Sequence, residues 1–440
     1  MKNIRFLTII LTLGLLFTMV ACGDKKTNDD ATTTNNTASE EVTTKEDVTT
    51  KKDDTTTEAP TTDGDGGEEN TPTLKYPWAT QGGDGTEADP FIVNQTNFLE
   101  FYEYYKIGSF EAFTTELEYF KLGSNIVLNE GNAADWATTA PTTVFTAPLS
   151  NFYGVFDGAG YSISGLYMKT PSNIYRSALF GEVYGTIKNL GVINSYIEVE
   201  RDPSQNYYDM GAIAGRFYSG LIENCYSNAI LNGTALPGSS VAGGIVGRIS
   251  GQDTVISKCV FYGALDAGQG YAGGILGQIN GQLGNQINNC LNLGVVKGTS
   301  CAGGIIGRDD AGGGSTSSMS NCANLSGEIY KGGVKANFIY GGGLSKYYLN
   351  NIYVIEEFST DSTSANNTDG IVDGVADVYH TGYYSGENAH KINRMSLADF
   401  LALGGTANAP QGWYFAEGYV PTPIEGLQIA IPTAWSAYLA

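Results

Sequence analysis

The stretch "AGGIVGRI" at residues 242–249 decides the fold, because it recurs along the chain at a nearly constant interval. The same pattern reads "MGAIAGRF" at 210–217, "AGGILGQI" at 272–279 and "AGGIIGRD" at 302–309, so successive copies are 32, 30 and 30 residues apart. A looser copy, "ALFGEVYGTIKNLGVINSYIEV", occupies 178–199. Periods of about 20 to 50 residues are typical of repeat proteins, in which each unit packs only against its neighbours.

Each unit contains two or three short apolar runs of alternating pattern, broken by Gly, Asn and Asp, which indicates strands and turns. Such a unit cannot bury its own apolar face, so its neighbours must cover it. We therefore predict an all-β, parallel β-helix-like solenoid of roughly eight coils stacked about 4.8 Å apart. The general preference of parallel connections makes it right-handed. A β-propeller is the rival, but its blades need about 40 to 45 residues.

Two segments have the pattern of short helices that close the ends of the stack, where an uncovered coil leaves an unpaired edge. In "NQTNFLEFYEYYK" (94–106) aromatic residues recur at helical spacing, and Asn94 or Thr96 is placed to cap the first turn. A second helix is expected between Ser396, its N-cap, and Gly404. The aromatic residues of the first helix are Phe98, Phe101, Tyr102 and Tyr105.

The first 22 residues, "MKNIRFLTIILTLGLLFTMVAC", combine a positive start with an apolar run too short for a stable membrane span. They look like a bacterial lipoprotein signal in which Cys22 is lipidated, and an ordinary secretory signal is the alternative. Either signal places the mature chain outside the cytoplasm. Lipidation would anchor it, surface exposed, to the bacterial cell membrane or outer membrane.

The segment after the signal is rich in Thr, Asp and Glu and has almost nothing to bury, so it is predicted to be a disordered tether. The predicted organisation is a signal peptide (1–22), a disordered linker (23–75), an N-terminal cap with an amphipathic helix (76–118), β-solenoid repeats (119–335), and C-terminal coils with a cap (336–440).

The composition excludes several function classes. The formal charge is −22, which disfavours nucleic-acid binding because phosphate contacts need a basic face. The chain has only two histidines and no HExxH motif, which excludes that type of zinc peptidase, and it has no GxSxG or P-loop motif. No cofactor is predicted.

A cysteine recurs in "INNCLNLG" (287–294) and its counterparts, and the looser copy has Leu190 in that slot. A slot shared by leucine and cysteine is apolar, so we predict a buried packing ladder. Side chains stacked in a line cannot converge on a zinc ion. Disulfides remain an alternative, although neighbours about 4.8 Å apart exceed the usual Cβ separation. The four cysteines are Cys225, Cys259, Cys290 and Cys322.

The residue before each cysteine is usually asparagine, which tolerates turn conformations and whose amides can hydrogen-bond from coil to coil. Lys258 replaces it in one coil. We predict a second internal ladder, which leaves no free groups for a ligand. Its members are Asn189, Asn224, Asn289 and Asn321.

One row of polar residues follows the glycine motif, and strand alternation places it on the outside of the coils. Its members are Arg216, Arg248, Gln278 and Arg308. Stacked arginines repel unless they are paired or hold an anion, so this row is the candidate site for an acidic glycan or polymer. Salt bridges to carboxylates such as Glu223 or Asp309 are the alternative.

Two further candidates are weaker. Tyr207 and Tyr208 in "NYYD" suit sugar stacking if they are exposed, and they suit the core if they are not.

The acidic segment 361–380 repeats aspartate every four residues, at Asp369, Asp373 and Asp377. Such a spacing suits calcium, which takes six to eight oxygen ligands, and it equally suits a solvated loop. These aspartates are therefore only candidate calcium ligands, and we assign no metal site from the sequence.

Several stretches together resemble a known group of bacterial surface proteins. They are "GDGTEADPFIV" (83–93), "YFKLGSNIVL" (119–128), "FYGVFDGAGYSISGLYM" (152–168), "GTIKNLGV" (185–192) and the glycine repeats. The sequence is similar to the GLUG-motif extracellular proteins, whose repeats also occur beside the peptidase domains of immunoglobulin-A-cleaving metalloproteases. The resemblance covers residues 82–330 and implies a cell-surface solenoid without a single established activity. The metalloprotease peptidase domain itself is absent from this sequence.

Three function classes stay open. We favour a lipid-anchored, non-enzymatic binding or adhesion module that contacts an extracellular glycan or a protein of a host or neighbouring cell. The alternative is a β-helix polysaccharide lyase or hydrolase, which needs paired carboxylates, or calcium with a base, in one groove. Carboxylates between residues 82 and 330 are scattered, so no catalytic residue is assigned. A structural spacer is the third possibility.

Overall fold

The structure is a computed structural model that describes residues 74–109, 113, 115–280, 283–310, 317–335, 339–342, 348–358 and 391–439. The predictions for Cys22, for the linker up to residue 73 and for Asp369, Asp373 and Asp377 lie outside the described residues. Among the described helices, none is long and apolar enough to cross a membrane.

The predicted all-β solenoid is confirmed. Short strands stack in parallel register into about eight coils, and each complete coil contributes strands to four faces. The first face has two strands per coil, joined at the asparagine–cysteine turn. The first of these two strands are Phe91–Val93, Tyr119–Leu122, Val155–Asp157, Thr186–Lys188, Leu221–Glu223, Val255–Ser257, Gln286–Asn288 and Ser318–Ser320. The second are Ile126–Val127, Ser162–Ser164, Gly191–Ile193, Tyr226–Ser227, Val260–Phe261, Leu291–Asn292 and Ala323–Asn324.

Two longer strands, Tyr348–Ile355 and Lys391–Met395, end the first face. The second face consists of Tyr167–Thr170, Tyr196–Val199, Ile230–Asn232, Ala264–Asp266, Val295–Gly298 and Ile329–Lys331, with Val334–Lys335 added antiparallel. The third face consists of Arg176–Ser177, Asp209–Gly211, Val241–Gly243, Tyr271–Gly273 and Cys301–Gly303. The fourth consists of Leu149–Phe152, Phe180–Val183, Ala214–Phe217, Val246–Ile249, Leu276–Ile279 and Ile306–Asp309.

The core is built from like residues that lie above one another in successive coils. Every coil contributes an inward apolar residue at the same strand position, and all members of the row are fully buried. One such row is Ile187, Ile222, Ile256, Ile287 and Met319. A one-residue slip would turn the whole row outward, so burial fixes the register that the repeat predicted.

The glycines of the repeat are required where neighbouring coils pack against each other near the corner between the third and fourth faces. A Cβ atom on Gly247 would lie 2.5 Å from the carbonyl oxygen of Gly215 and 2.8 Å from that of Met210. A Cβ atom on Gly244 would lie 2.1 Å from the carbonyl oxygen of Gly274. Only glycine allows the backbones to pack this closely.

The N-terminal helix, Phe98–Tyr105, buries the four aromatic residues that its spacing predicted. Its cap is different from the prediction. The helix begins after Asn97, whereas the side chain of Asn94 accepts a hydrogen bond from the N–H of Thr96 in the turn before it. The strand Phe91–Val93 pairs in parallel with Tyr119–Leu122, so the stack begins before this helix.

At the other end, the helix Leu397–Leu401 is capped by Ser396, whose side chain accepts from the N–H of Asp399, as predicted. It ends before Gly404, the expected stop. Among the described residues, the other helical turns are Ser436–Leu439 and the 3-10 helices Ala133–Asp135, Glu356–Phe358 and Thr433–Trp435. One apolar cluster joins this C-terminal segment to the outer side of the first face. Its members include Val260, Leu291, Ala323, Tyr353, Leu397, Phe400, Trp413 and Trp435.

Candidate functional site

The recurring cysteines form the predicted packing ladder. All four are free thiols and fully buried, so they are not joined to one another by disulfides. Each thiol donates to a carbonyl within its own turn, as Cys259 does to Ser257 at 3.2 Å. Burial raises the pKa of Cys225, Cys259 and Cys290 well above the usual value for a thiol, so these residues are poor nucleophiles. Cys301 is also buried, in register with Tyr271.

The asparagine ladder is present in two runs, one at Asn189 and Asn224 and one from Asn321 to Asn393, and Lys258 and Asn289 lie between them. Every predicted member adopts a positive φ, with Asn224 at 54°, and so does Lys258 at 50°. The amide of Asn224 donates to the Oδ1 atom of Asn189 at 2.8 Å, and Asn189 donates in turn to Asp157. Asn351 continues the ladder after Asn321. The amides of Asn189, Asn224, Asn321 and Asn351 thus bond within the stack, whereas the Oδ1 atom of Asn289 is buried without a hydrogen-bond partner among the described residues.

The predicted polar row is aligned on the fourth face. Arg216 pairs in register with Arg248, Arg248 with Gln278, and Gln278 with Arg308. The row is less exposed than strand alternation suggested, since the side chain of Arg216 is 14% exposed and that of Arg248 only 10%. The row therefore lies under a rim of other side chains.

Asp209, on the third face, holds two arginines of the row at once. Its side chain is completely buried, and it accepts from Nε of Arg216 at 2.6 Å and from Nε of Arg248 at 2.8 Å. The predicted partner Glu223 was wrong, because Glu223 pairs with Lys258 in another part of the coil. The triad contains two guanidinium groups and one carboxylate, which leaves one formal positive charge.

Gln278 connects this triad to a second ion pair. Its Oε1 atom accepts from Arg248, and its amide donates to Asp310. Asp310 also accepts from Nε of Arg308 at 2.7 Å, so the charges of Arg308 and Asp310 balance each other. Arg308 further lies over the ring of Tyr271, with 4.7 Å between the guanidinium carbon and the ring centroid.

The two predicted tyrosines have opposite environments. Tyr207 is exposed, and the guanidinium of Arg216 lies 5.9 Å from its ring centroid. Tyr208 was a wrong choice as a ligand-binding residue. It is fully buried, and its hydroxyl donates to the carbonyl of Ser172 and accepts from the N–H of Asp202. Both tyrosines lie just before the strand Asp209–Gly211, and only Tyr208 turns into the core.

Part of the polar row lines a cleft of about 420 Å³, which we call the arginine cleft, and the predicted residue Arg308 lies outside its lining. Arg216, Arg248 and Gln278 form its floor, and more exposed residues form its rim. The lining residues are Tyr207, Arg216, Ser239, Arg248, Tyr271, Gln278 and Asn280. The sequence predicted all three floor residues and, on the rim, Tyr207. It missed Asp209, although the repeat register places this carboxylate in the slot of Val241 and Tyr271.

The electrostatics of the cleft favour charged arginines. Burial lowers the pKa of Arg216, but the adjacent Asp209 and the hydrogen bond with Tyr218 more than compensate and raise the pKa above its ordinary value. Asp310 acts in the same way on the pKa of Arg308. Both guanidinium groups therefore stay protonated, and a bound anion would meet a fixed positive charge. Within the described residues no group of three His, Cys, Asp or Glu side chains could hold a metal ion.

Comparison with known proteins identifies the fold. No family model matches the chain, and no curated protein matches it. Among solved structures it is similar to a crystal structure from Bacteroides ovatus of a "putative immunoglobulin A1 protease". The identity is 21% and the TM-score 0.51, and the alignment covers 78% of this chain and 95% of that chain. At this identity the similarity shows a shared fold alone, and the GLUG assignment and the lipid anchor stay predictions.

Proposed function

We propose that this chain is a lipid-anchored surface solenoid that binds an acidic glycan in the arginine cleft without chemically changing it. The observation behind the proposal is the sharing of one buried carboxylate, Asp209, by Arg216 and Arg248. In a chain of formal charge −22, this triad retains one positive charge beside an open cleft. A ligand carboxylate placed there would neutralise it.

The chemistry of the lining supports this ligand class. Guanidinium groups can bind a carboxylate through two parallel N–H donors, which a lysine ammonium cannot do. The rim adds the ring of Tyr207 and the polar groups of Ser239 and Asn280. An aromatic ring beside hydrogen-bonding groups suits a sugar, which has both an apolar ring face and hydroxyls.

Titration of the full chain with uronic-acid oligosaccharides tests the proposal. Arg216→Lys keeps the charge but removes the planar fork, so affinity should fall about tenfold. Tyr207→Ala should also weaken binding, because it removes the ring at the rim. Arg201→Lys is the matched control, since Arg201 is exposed and does not line the cleft. Equal affinities for the wild-type chain and the two cleft variants would refute the proposal.

The lyase or hydrolase alternative has less support in this cleft. Its central carboxylate, Asp209, is completely buried, and both of its oxygens accept from arginines. A general acid or base must reach the bond that it cleaves. Release of reducing ends or unsaturated products from acidic polysaccharides, with and without calcium, would favour the enzyme. Absence of binding to any glycan or surface protein would leave the structural spacer.

A further inference from the structure

The second face has a surface that could bind a ligand, and no arginine lines it. Two cavities of about 320 and 430 Å³ lie on the second face, and they share Asp266 and Lys297 as lining residues. They therefore form one continuous depression, which we call the second-face groove. None of its residues belongs to the arginine cleft.

The floor of the groove is a row of short apolar side chains. Tyr196, Ile230, Ala264 and Val295 follow one another in register in successive coils. The last three are only partly covered, although apolar side chains of this kind are normally buried. A partly exposed apolar row of this kind can pack against the apolar face of a sugar ring.

A polar row runs parallel to this floor, two residues further along each strand. Asn232, Asp266, Lys297 and Tyr330 are in register from coil to coil. Asp266 uses its Oδ1 atom to accept from the N–H of Gly268, and within the described residues its Oδ2 atom has no hydrogen-bond partner. Lys297 lies 5.7 Å from the ring centroid of Tyr330 and makes no ion pair with any described residue.

One end of the groove is bounded by a loop and the other by an antiparallel strand pair. Ala134 and Ala137 line one end, in the loop whose Trp136 packs on Tyr167 and so covers the preceding coils. Tyr330 and Gly333, in the strand pair at 329–335, line the other end. Four coil steps separate Tyr196 from Tyr330, a distance of about 19 Å at the usual spacing of parallel strands. A groove of this length would hold a chain of a few sugar rings.

We propose that the second-face groove binds a neutral oligosaccharide, with ring faces on the Ile230–Ala264–Val295 floor and hydroxyls on the polar row. The charges of the groove select this ligand class. Asp266 and Lys297 cancel, so there is no excess positive charge to hold a uronate, in contrast to the arginine cleft. Carboxylate and ammonium groups both hydrogen-bond sugar hydroxyls, the former as acceptor and the latter as donor.

Calorimetric titration of the full chain with neutral hexasaccharides of glucose, xylose and mannose, up to about 10 mM, tests this proposal. At least one should bind saturably. Ala264→Trp fills the floor without removing a contact and should weaken that binding at least about tenfold. Lys297→Ala should weaken it severalfold. Ala416→Trp is the matched control, because Ala416 is exposed and lies outside the groove.

The outcome separates this site from the arginine cleft. Ala264→Trp should leave binding of uronic-acid oligosaccharides unchanged, and Arg216→Lys should leave binding of the neutral ligand unchanged. Binding of no neutral hexasaccharide, or equal affinity in Ala264→Trp and Ala416→Trp, would overturn the groove proposal while the acidic-glycan proposal stands. Saturable binding of peptides but not of sugars in the groove would also overturn it. Urea unfolding of each variant verifies that the chain remains folded.

Discussion

Replacing Asp209 by asparagine should destabilise the chain far more than a typical substitution of an acidic residue. The carboxylate is completely buried, and it is the shared partner of Arg216 and Arg248, whose side chains are 14% and 10% exposed. The amide keeps the shape but removes the negative charge, so two adjacent guanidinium groups lose their counter-charge. Breaking a buried pair by removing one partner costs about 3 to 5 kcal/mol. We expect a loss of this size in the free energy of unfolding.

Urea unfolding followed by circular dichroism measures this loss. Asp310→Asn is the control, because Asp310 is 26% exposed and its pair with Arg308 lies nearer to solvent. Its cost should be about 1 kcal/mol or less. Exchanging the whole triad for apolar residues, with Asp209→Leu, Arg216→Met and Arg248→Met, should recover most of the stability, since no charge is then left unpaired.

The reasoning would fail if Asp209→Asn cost no more than Asp310→Asn. Such a result would mean that water reaches the triad and screens the two arginines. It would also weaken the case for anion binding in the arginine cleft, because water around the triad would screen the attraction between its positive charge and an anion.

Three further predictions concern the ladders and the caps. Burial raises the pKa of the thiols of Cys225, Cys259 and Cys290, so the unfolded chain loses these protons at lower pH than the folded chain. The free energy of unfolding should therefore fall above about pH 9. A thiol reagent should label these cysteines only on unfolding, and rapid labelling of the native chain would contradict this. Asn224→Ala should cost about 1 to 3 kcal/mol, because alanine disfavours the φ of 54° and removes the hydrogen bond to Asn189. Asn224→Gly should cost less, because glycine tolerates this φ. The opposite order of the two variants in urea unfolding would contradict the role of φ. Ser396→Ala should cost about 1 kcal/mol through the lost helix cap, and an unchanged free energy of unfolding in urea would contradict the capping role.

The features that depend on a single strand or turn could be read from the sequence. The repeat fixed which residues lie above one another, and the shared Leu190 and cysteine slot identified an apolar position that is indeed fully buried. The aromatic spacing at Phe98 and Phe101 likewise identified the buried side of the first helix. Each of these follows from local periodicity combined with burial.

Features that join two faces could not be read in this way. The contact of Asp209 with Arg248 links the third face of one coil to the fourth face of the next, and only the angle between those faces brings the two together. The second-face groove was missed for a related reason. Asn232, Asp266 and Lys297 share a register position but not a residue type, so the repeat pattern does not reveal them.

The C-terminal segment has a consequence for how the stack comes apart. A solenoid with only nearest-neighbour contacts can unzip one coil at a time from an open end. Here Val260, Leu291 and Ala323, from three successive coils, share one apolar cluster with residues of the C-terminal segment such as Trp413. Removing a terminal coil therefore requires that the segment detach from the coils behind it as well. The segment and these three coils should therefore unfold together as one cooperative unit.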